Sequence, residues 1–368
     1  MINELLKKKY LTVFIIFIFS FFIGILFLYI ERKILGISST FHPDSLWYLT
    51  NHSHNIISVK LSLSENIINF FKYFLKGNSY YSVVKLFHEI KELNIINFLD
   101  AYRNLILLNI FLYSLTCAMV FLHYIKHYHR EQKNYLFILS ILVFMILPYK
   151  LHLAVNILKE TFIFFFLIMF VLYQNKVSLI LSSIFGTSFR FSFIIYYLIF
   201  FDFKKFFDLK KLIYLSLTII TICIFYFYTF YEARNDHGNL FYGFMKLLSE
   251  RNTTEMSGRI FDNIPNFSND QFGFLYRSIL WPLLFLSGTF IFFTDNIFFI
   301  LLGVEIIIMQ IITLICHKKL IINFGIILVL IIISLWVTNF TSFHRYAYLP
   351  FIALFVKIIF EKKIIIKY

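Results

Sequence analysis

Cysteine, proline and glycine are scarce in this chain of 368 residues, which carries 3, 5 and 11 of them. Cys117, Cys223 and Cys316 lie within or at the ends of apolar runs, with no pair at metal-ligand spacing. That spacing gives no thiolate metal site; the three read as small hydrophobes, and the redox compartment stays open. So few glycines and prolines also exclude collagen-like and low-complexity chains. Charge is thin as well: 15% of residues are charged against 60% hydrophobic, and mean hydropathy is +0.78. A soluble protein of this composition would have no polar surface to show to water.

What is present instead is long apolar sequence. The run LTVFIIFIFSFFIGILFLYI, residues 11–30, exceeds the roughly 18 apolar residues that a crossing helix needs. The expectation is an all-α, polytopic integral membrane helical bundle forming one transmembrane domain over residues 1–368. It has about 9–11 transmembrane or half-transmembrane helices and two large outer loops, 31–102 and 232–274. The 51 phenylalanines serve by default as lipid-facing filler. The net charge of +14 does not point to nucleic acid, because no basic stripe with interleaved aromatics stands outside the apolar segments.

Lysine and arginine mark the cytoplasmic side. Lys7, Lys8 and Lys9 precede the first run and place the N-terminus inside, with residues 11–30 retained as an anchor rather than cleaved as a signal peptide. Residues 31–102 then lie outside, and LWYLTNHSHNIISVKLSL, NIINFFKYFLK and YYSVVKLFHEIKEL read as amphipathic surface helices. Crossings follow near 104–125, 135–149 and 158–173. Lys204, Lys205, Lys210 and Lys211 return to the inside only if residues 177–201 form two half-length helices turning at Gly186. That hairpin would bury Arg190 near mid-membrane. The same parity makes residues 275–293, interrupted by Trp281 and Pro282, re-entrant or interfacial. Crossings near 297–316, 320–338 and 349–360 then bring the C-terminus inside.

An ionisable group inside an apolar run is a functional hypothesis, since hydrocarbon penalises it by a few kcal/mol. In FHPDSLWYLTNHSH, Asp44 opens a helix with Tyr48 on its face at i+4, where a carboxylate serves as a general base for a hydroxyl or as an N-cap. In NILKETF, Lys159 and Glu160 stand at a helix head beside Asn156; the lysine either holds a phosphate, with Glu160 orienting it, or anchors the helix end. Arg190 in FGTSFRFSF offers a bidentate fork to phosphate, or caps the carbonyls of the hairpin turn. Arg345, with His344 beside it in HRYAYLP, makes a second phosphate contact; Glu305 in LLGVEIIIMQ is either functional or a buried carboxyl hydrogen-bonded to another helix. His42, His52 and His54 show no metal-ligand spacing, and His123, His127 and His129 read as a basic helix-end anchor. No cofactor is called for, and a divalent metal stays open.

The PDSxxY segment after the first helix, the LKE at a later helix head, the hairpin arginine and HRYxxLP before the last helix together resemble the bacterial membrane glycosyltransferases and O-antigen or capsule polysaccharide polymerases, and the acidic first outer loop resembles the GT-C glycosyltransferases. The resemblance implies a polyprenyl-phosphate-linked sugar donor used at the outer face of the cytoplasmic membrane, in envelope polysaccharide assembly. Asp44 is the implied base, and Lys159, Arg190 and Arg345 hold phosphate, with Tyr48, Glu160, Glu305 and His344 in support. Implied partners are the bilayer, the lipid-linked saccharide and other polysaccharide-assembly proteins. A lipid-linked oligosaccharide flippase or other transporter is the alternative, since it needs the same intramembrane charges. A noncatalytic scaffold would leave Arg190 and Glu305 without a task.

Overall fold

A computed structural model describes residues 2–38, 62–75, 79–92, 101–127, 134–173, 176–190, 193–200, 273–336 and 340–361. Among them there is no strand; the protein is an all-α helical bundle. In chain order the helices are α1 (Ile2–Tyr29, continued by a π-turn over Ile30–Ile34), α2 (Leu63–Leu75), α3 (Tyr80–Glu92), α4 (Ala101–His127), α5 (Asn134–Ile146), α6 (Pro148–Ala154) and α7 (Glu160–Leu172). They are followed by α8 (Lys176–Phe189), α9 (Phe193–Tyr196), α10 (Gly273–Ser287), α11 (Ile297–His317), α12 (Phe324–Trp336) and α13 (Phe340–Glu361). Tyr10–Ile34, Arg103–Ile125 and Ile297–His317 are long and apolar enough to cross a bilayer. Asp44, Tyr48 and most of residues 31–102 and 232–274 lie outside the described residues.

The described residues fall into two units. One is drawn from Met1–Ile195, Ile297–Ile321 and Phe351–Tyr368, the other from Tyr196–Asn296 and Ile322–Pro350. In the first unit α1 packs along α4. Lipid tails are as apolar as leucine, so this association depends on close fit rather than on the hydrophobic effect. The fit centres on Gly24, where an added Cβ would stand 2.6 Å from a methyl carbon of Ile110, and on the edge-to-face pair Phe17–Phe111 at 5.4 Å. The opposite face of α1, with Leu11, Phe14, Phe22 and Leu26, is exposed and apolar, as a lipid-facing surface must be.

The second unit packs α10 against α12. Asn323 begins α12: its Oδ1 accepts the Ile326 N–H at 2.7 Å and its Nδ2 donates to the Ile199 carbonyl at 3.2 Å. Gly325 allows that approach, because a Cβ there would meet the Leu198 carbonyl oxygen at 2.3 Å. Trp281 and Pro282, where the sequence suggests an interruption, lie inside an unbroken α10, and the break falls at Gly288 (φ 71°). A short 3₁₀ turn, Thr289–Phe293, follows.

Two sequence expectations require correction. The last helix starts at Phe340 rather than near 349, so HRYAYLP lies inside it. Pro350 has no N–H to give the Tyr346 carbonyl one turn earlier, and the Tyr196 hydroxyl donates to that oxygen instead, at 3.3 Å. The hairpin helix does not turn at Gly186 either. It continues to Phe189 and breaks at Arg190, where the Phe193 N–H closes a turn on the Arg190 carbonyl at 2.9 Å. Gly186 is helical, and the Phe193 ring fills the space that a side chain there would need.

Candidate functional site

The first unit concentrates its buried polar side chains around PYKLHLAVNILKE, residues 148–160, where the path from α5 to α7 is broken twice. Broken backbone in a membrane protein must have each carbonyl and N–H satisfied by protein or by enclosed water. Pro148 begins α6 without an N–H, which orphans the Phe144 carbonyl four residues back; the Lys150 ammonium donates to that oxygen, with Nζ 3.3 Å from the centre of the Phe144 ring. The next carbonyl, Met145, accepts from the Tyr113 hydroxyl, and the Tyr149 N–H goes to Oε1 of Glu305 on α11. Glu305 therefore caps the first turn of α6 from another helix.

The second break, Val155–Lys159, is closed by α1 and α4. Asn109 donates to the Asn156 carbonyl at 2.7 Å and, more weakly, to that of Leu158 at 3.4 Å. The π-turn that prolongs α1 places Glu31 and Arg32 against the same segment. The Arg32 guanidinium donates to the Val155 carbonyl at 2.9 Å, to Oδ1 of Asn156 at 3.0 Å and to the Ile37 carbonyl at 2.9 Å. Glu31, wholly buried, stands 2.6 Å from Nδ1 of His152, and Asn156 donates to its other oxygen at 3.3 Å. The Phe298 ring stacks on the imidazole, with centroids 3.9 Å apart.

A second buried charge pair joins α7 to the end of α8. Oε1 of Glu160, the first residue of α7, accepts from the Arg190 guanidinium at 2.9 Å, with side chains 1% and 8% exposed. An aromatic ladder brings them together. Phe162 stacks on Phe189 at 4.7 Å and Phe166 on Phe185 at 5.5 Å, so four residues forward on α7 match four back on α8. That antiparallel register places Arg190 opposite Glu160. Tyr80, the first residue of α3, packs edge-on against Phe162 at 5.6 Å. Burial holds its phenol well above the usual value; the nearby Asn109 side chain opposes this, and the Glu160 carboxylate adds a little to it.

Of the residues singled out by sequence, Glu160 and Arg190 are thus in contact, and Lys159 directly precedes Glu160, partly exposed. Glu305 is engaged at α6. Arg345 and His344 belong to the second unit, where His344 is buried, its ring 4.1 Å from that of Phe290. Sequence reasoning passed over Glu31, Arg32, Asn109, Lys150 and His152. Among the described residues no three His, Cys, Asp or Glu side chains converge as metal ligands. No protein-family model, no curated protein and no solved structure matches this chain.

Proposed function

We propose that this protein is a membrane glycosyltransferase or polysaccharide polymerase that uses a polyprenyl-phosphate-linked sugar donor, acting at the outer face of the bacterial cytoplasmic membrane in envelope polysaccharide assembly, with both termini cytoplasmic. The observation that carries the reading is the Glu160–Arg190 pair, a buried guanidinium held against a carboxylate between the head of α7 and the end of α8. A lipid-linked donor carries its phosphates at headgroup level and its tail among the lipids. Its enzyme therefore needs an oriented cation in an apolar bundle, and a planar guanidinium matches phosphate bidentately. In this reading Arg190, with Lys159 beside Glu160, holds phosphate, and Asp44 takes the proton of the acceptor hydroxyl.

The test is sugar transfer from a polyprenyl-linked donor by the purified protein. Asp44→Asn keeps the shape and much of any capping ability while removing the base, so transfer falls by about 10² or more. Near-normal transfer by Asp44→Asn reduces Asp44 to a helix cap. The broken α5–α6–α7 path is also what a transporter would place around a substrate path. A wild-type protein that transfers no sugar but moves the lipid-linked donor across vesicles replaces the enzyme with a flippase.

A further inference from the structure

Helix α3 is amphipathic and was expected to lie on the outer surface, yet its first turn is buried: Ser79 and Ser82 are each 4% exposed and Tyr80 is fully enclosed. The Ser79 N–H donates to the Ser188 carbonyl at 2.9 Å, and the Ser79 carbonyl accepts from Val83 at 3.3 Å. The head of α3 is therefore fastened to the end of α8, two residues before Arg190. The Tyr80–Phe162–Phe189 stack sets it beside the Glu160–Arg190 pair.

The hydroxyls of Ser79 and Ser82 have no hydrogen-bond partner in the structure. Elsewhere in this chain a helical serine turns its hydroxyl back onto its own helix, as Ser20, Ser114 and Ser183 do to the carbonyls four residues earlier. Ser79 and Ser82 make no such bond. Ser79 stands at the N-cap position and Ser82 at the third helical position. Helical side chains tilt toward the N-terminus, which carries the Ser82 side chain toward the helix head, where Ser79 occupies the capping position. There the backbone dipole of a 13-residue helix presents its positive end. Two buried hydroxyls without partners thus stand at a helix N-terminus, with the Glu160–Arg190 pair close by.

We propose that the N-terminal turn of α3, with Ser79 and Ser82, is a phosphate-binding site that works beside Arg190, receiving the phosphate of a polyprenyl-linked ligand. The inference rests on the function proposed above for the identity of that ligand; the oxyanion chemistry itself follows from the site.

The test uses the purified full chain in lipid nanodiscs, with long-chain polyprenyl phosphate, the corresponding phosphate-free polyprenol and inorganic phosphate as probes. The wild type binds the polyprenyl phosphate and not the polyprenol. Ser79→Ala/Ser82→Ala weakens that binding at least 10-fold, because two hydrogen bonds to a charged group are lost. Its melting temperature stays level or rises, since removing an unpartnered buried hydroxyl relieves a desolvation cost. A lowered melting temperature in step with lost binding assigns the hydroxyls to the fold and overturns the proposal, as does undiminished binding or equal binding of the polyprenol. Inorganic phosphate that binds with the same serine dependence makes free phosphate the ligand and keeps the oxyanion site. Should the double variant not fold, Ser82→Ala alone is read by the same outcomes, with Ser82→Thr restoring binding. Serine-dependent phosphate binding without sugar transfer keeps this site and removes the enzyme; sugar transfer whose donor KM ignores both serines keeps the enzyme and removes this site.

Discussion

Replacing one partner of the Glu160–Arg190 pair should be far more damaging than replacing both. The pair is closed at 2.9 Å with 1% and 8% side-chain exposure, so water screens it poorly. Removing one member of such a pair leaves an unpaired buried charge, at about 3–5 kcal/mol. Glu160→Leu and Arg190→Met are thus each expected to destabilise the protein by that amount. The double variant puts apolar volume against the Phe162–Phe189 ladder and should return to within about 1 kcal/mol of wild type or exceed it. A double-mutant cycle from reversible unfolding in mixed micelles reads the coupling directly. Sugar transfer by the stable double variant then separates fold from function: under the proposed reading it folds and is inactive. Arg190→Met with wild-type stability, or a double variant as unstable as the worse single, would refute the buried-pair reasoning; a fully active double variant would remove phosphate holding from Arg190.

Three further outcomes follow from the same physical picture. Arg190→Lys should impair transfer more than Lys159→Arg, because a fork that becomes a point charge loses its bidentate geometry while a point-charge site accepts a fork; equal activity of the two, at matched membrane levels, contradicts it. A reporter fused after Lys211 should read cytoplasmic, as positive-inside placement of Lys204, Lys205, Lys210 and Lys211 requires, and an outward signal would sink the hairpin topology. At the head of α2 the Ser62 N–H and hydroxyl donate to Glu65 at 2.8 and 2.7 Å, while the Glu65 N–H reaches back to the Ser62 hydroxyl at 3.3 Å. These bonds hold the Glu65 carboxyl below its usual value, so the cap is intact above pH of about 4.5 and is lost as pH falls through the lowered value. Amide exchange at 63–66 in the full-length protein should accelerate across that acid window, and Glu65→Gln should flatten the response.

Much of the fold was legible because apolar run length is a strong signal in a membrane chain. The runs at 11–30, 104–125 and 297–316 became the helices that are long enough to cross. Lengths between those extremes were less informative. Helices α5 and α7, of 13 residues each, span only about 20 Å at 1.5 Å per residue, short of a hydrocarbon core of about 30 Å. Composition alone could not show that they are pieces of one broken path. The turn at Gly186 was placed by the usual habit of glycine, and the structure instead uses that glycine for a close ring contact within a helix. Proline misled in the same manner at 350, because a helix can pass through it when a distant hydroxyl, here that of Tyr196, supplies the missing donor.

The candidate site was legible only in part, for a reason that bears on how buried charge is read. Glu160 and Arg190 stood out because each interrupts an apolar run, and they met. Glu31 and Arg32 follow the first run so closely that they passed for the start of a loop, while Lys150 and His152 lie in a short link between runs. The cue available in the sequence was Pro148. A proline that opens a helix within membrane sequence leaves a carbonyl unsatisfied one turn back, so donors must arrive from elsewhere. Lys150 meets that demand directly, Tyr113 and Glu305 serve the groups next to it, and Asn109 with Arg32 does the same for the unwound stretch after Ala154. Each of these side chains has a structural account, which weakens the inference from intramembrane charge to function that would otherwise apply to all of them. The inference keeps its force only for polar groups left over once the backbone is satisfied. Among the described residues of the first unit, Glu31 and His152 meet each other at 2.6 Å, and a second group comprises Glu160, Arg190 and the hydroxyls of Ser79 and Ser82. The second group gathers where the head of α3 meets the end of α8, and that is where a phosphate should be sought.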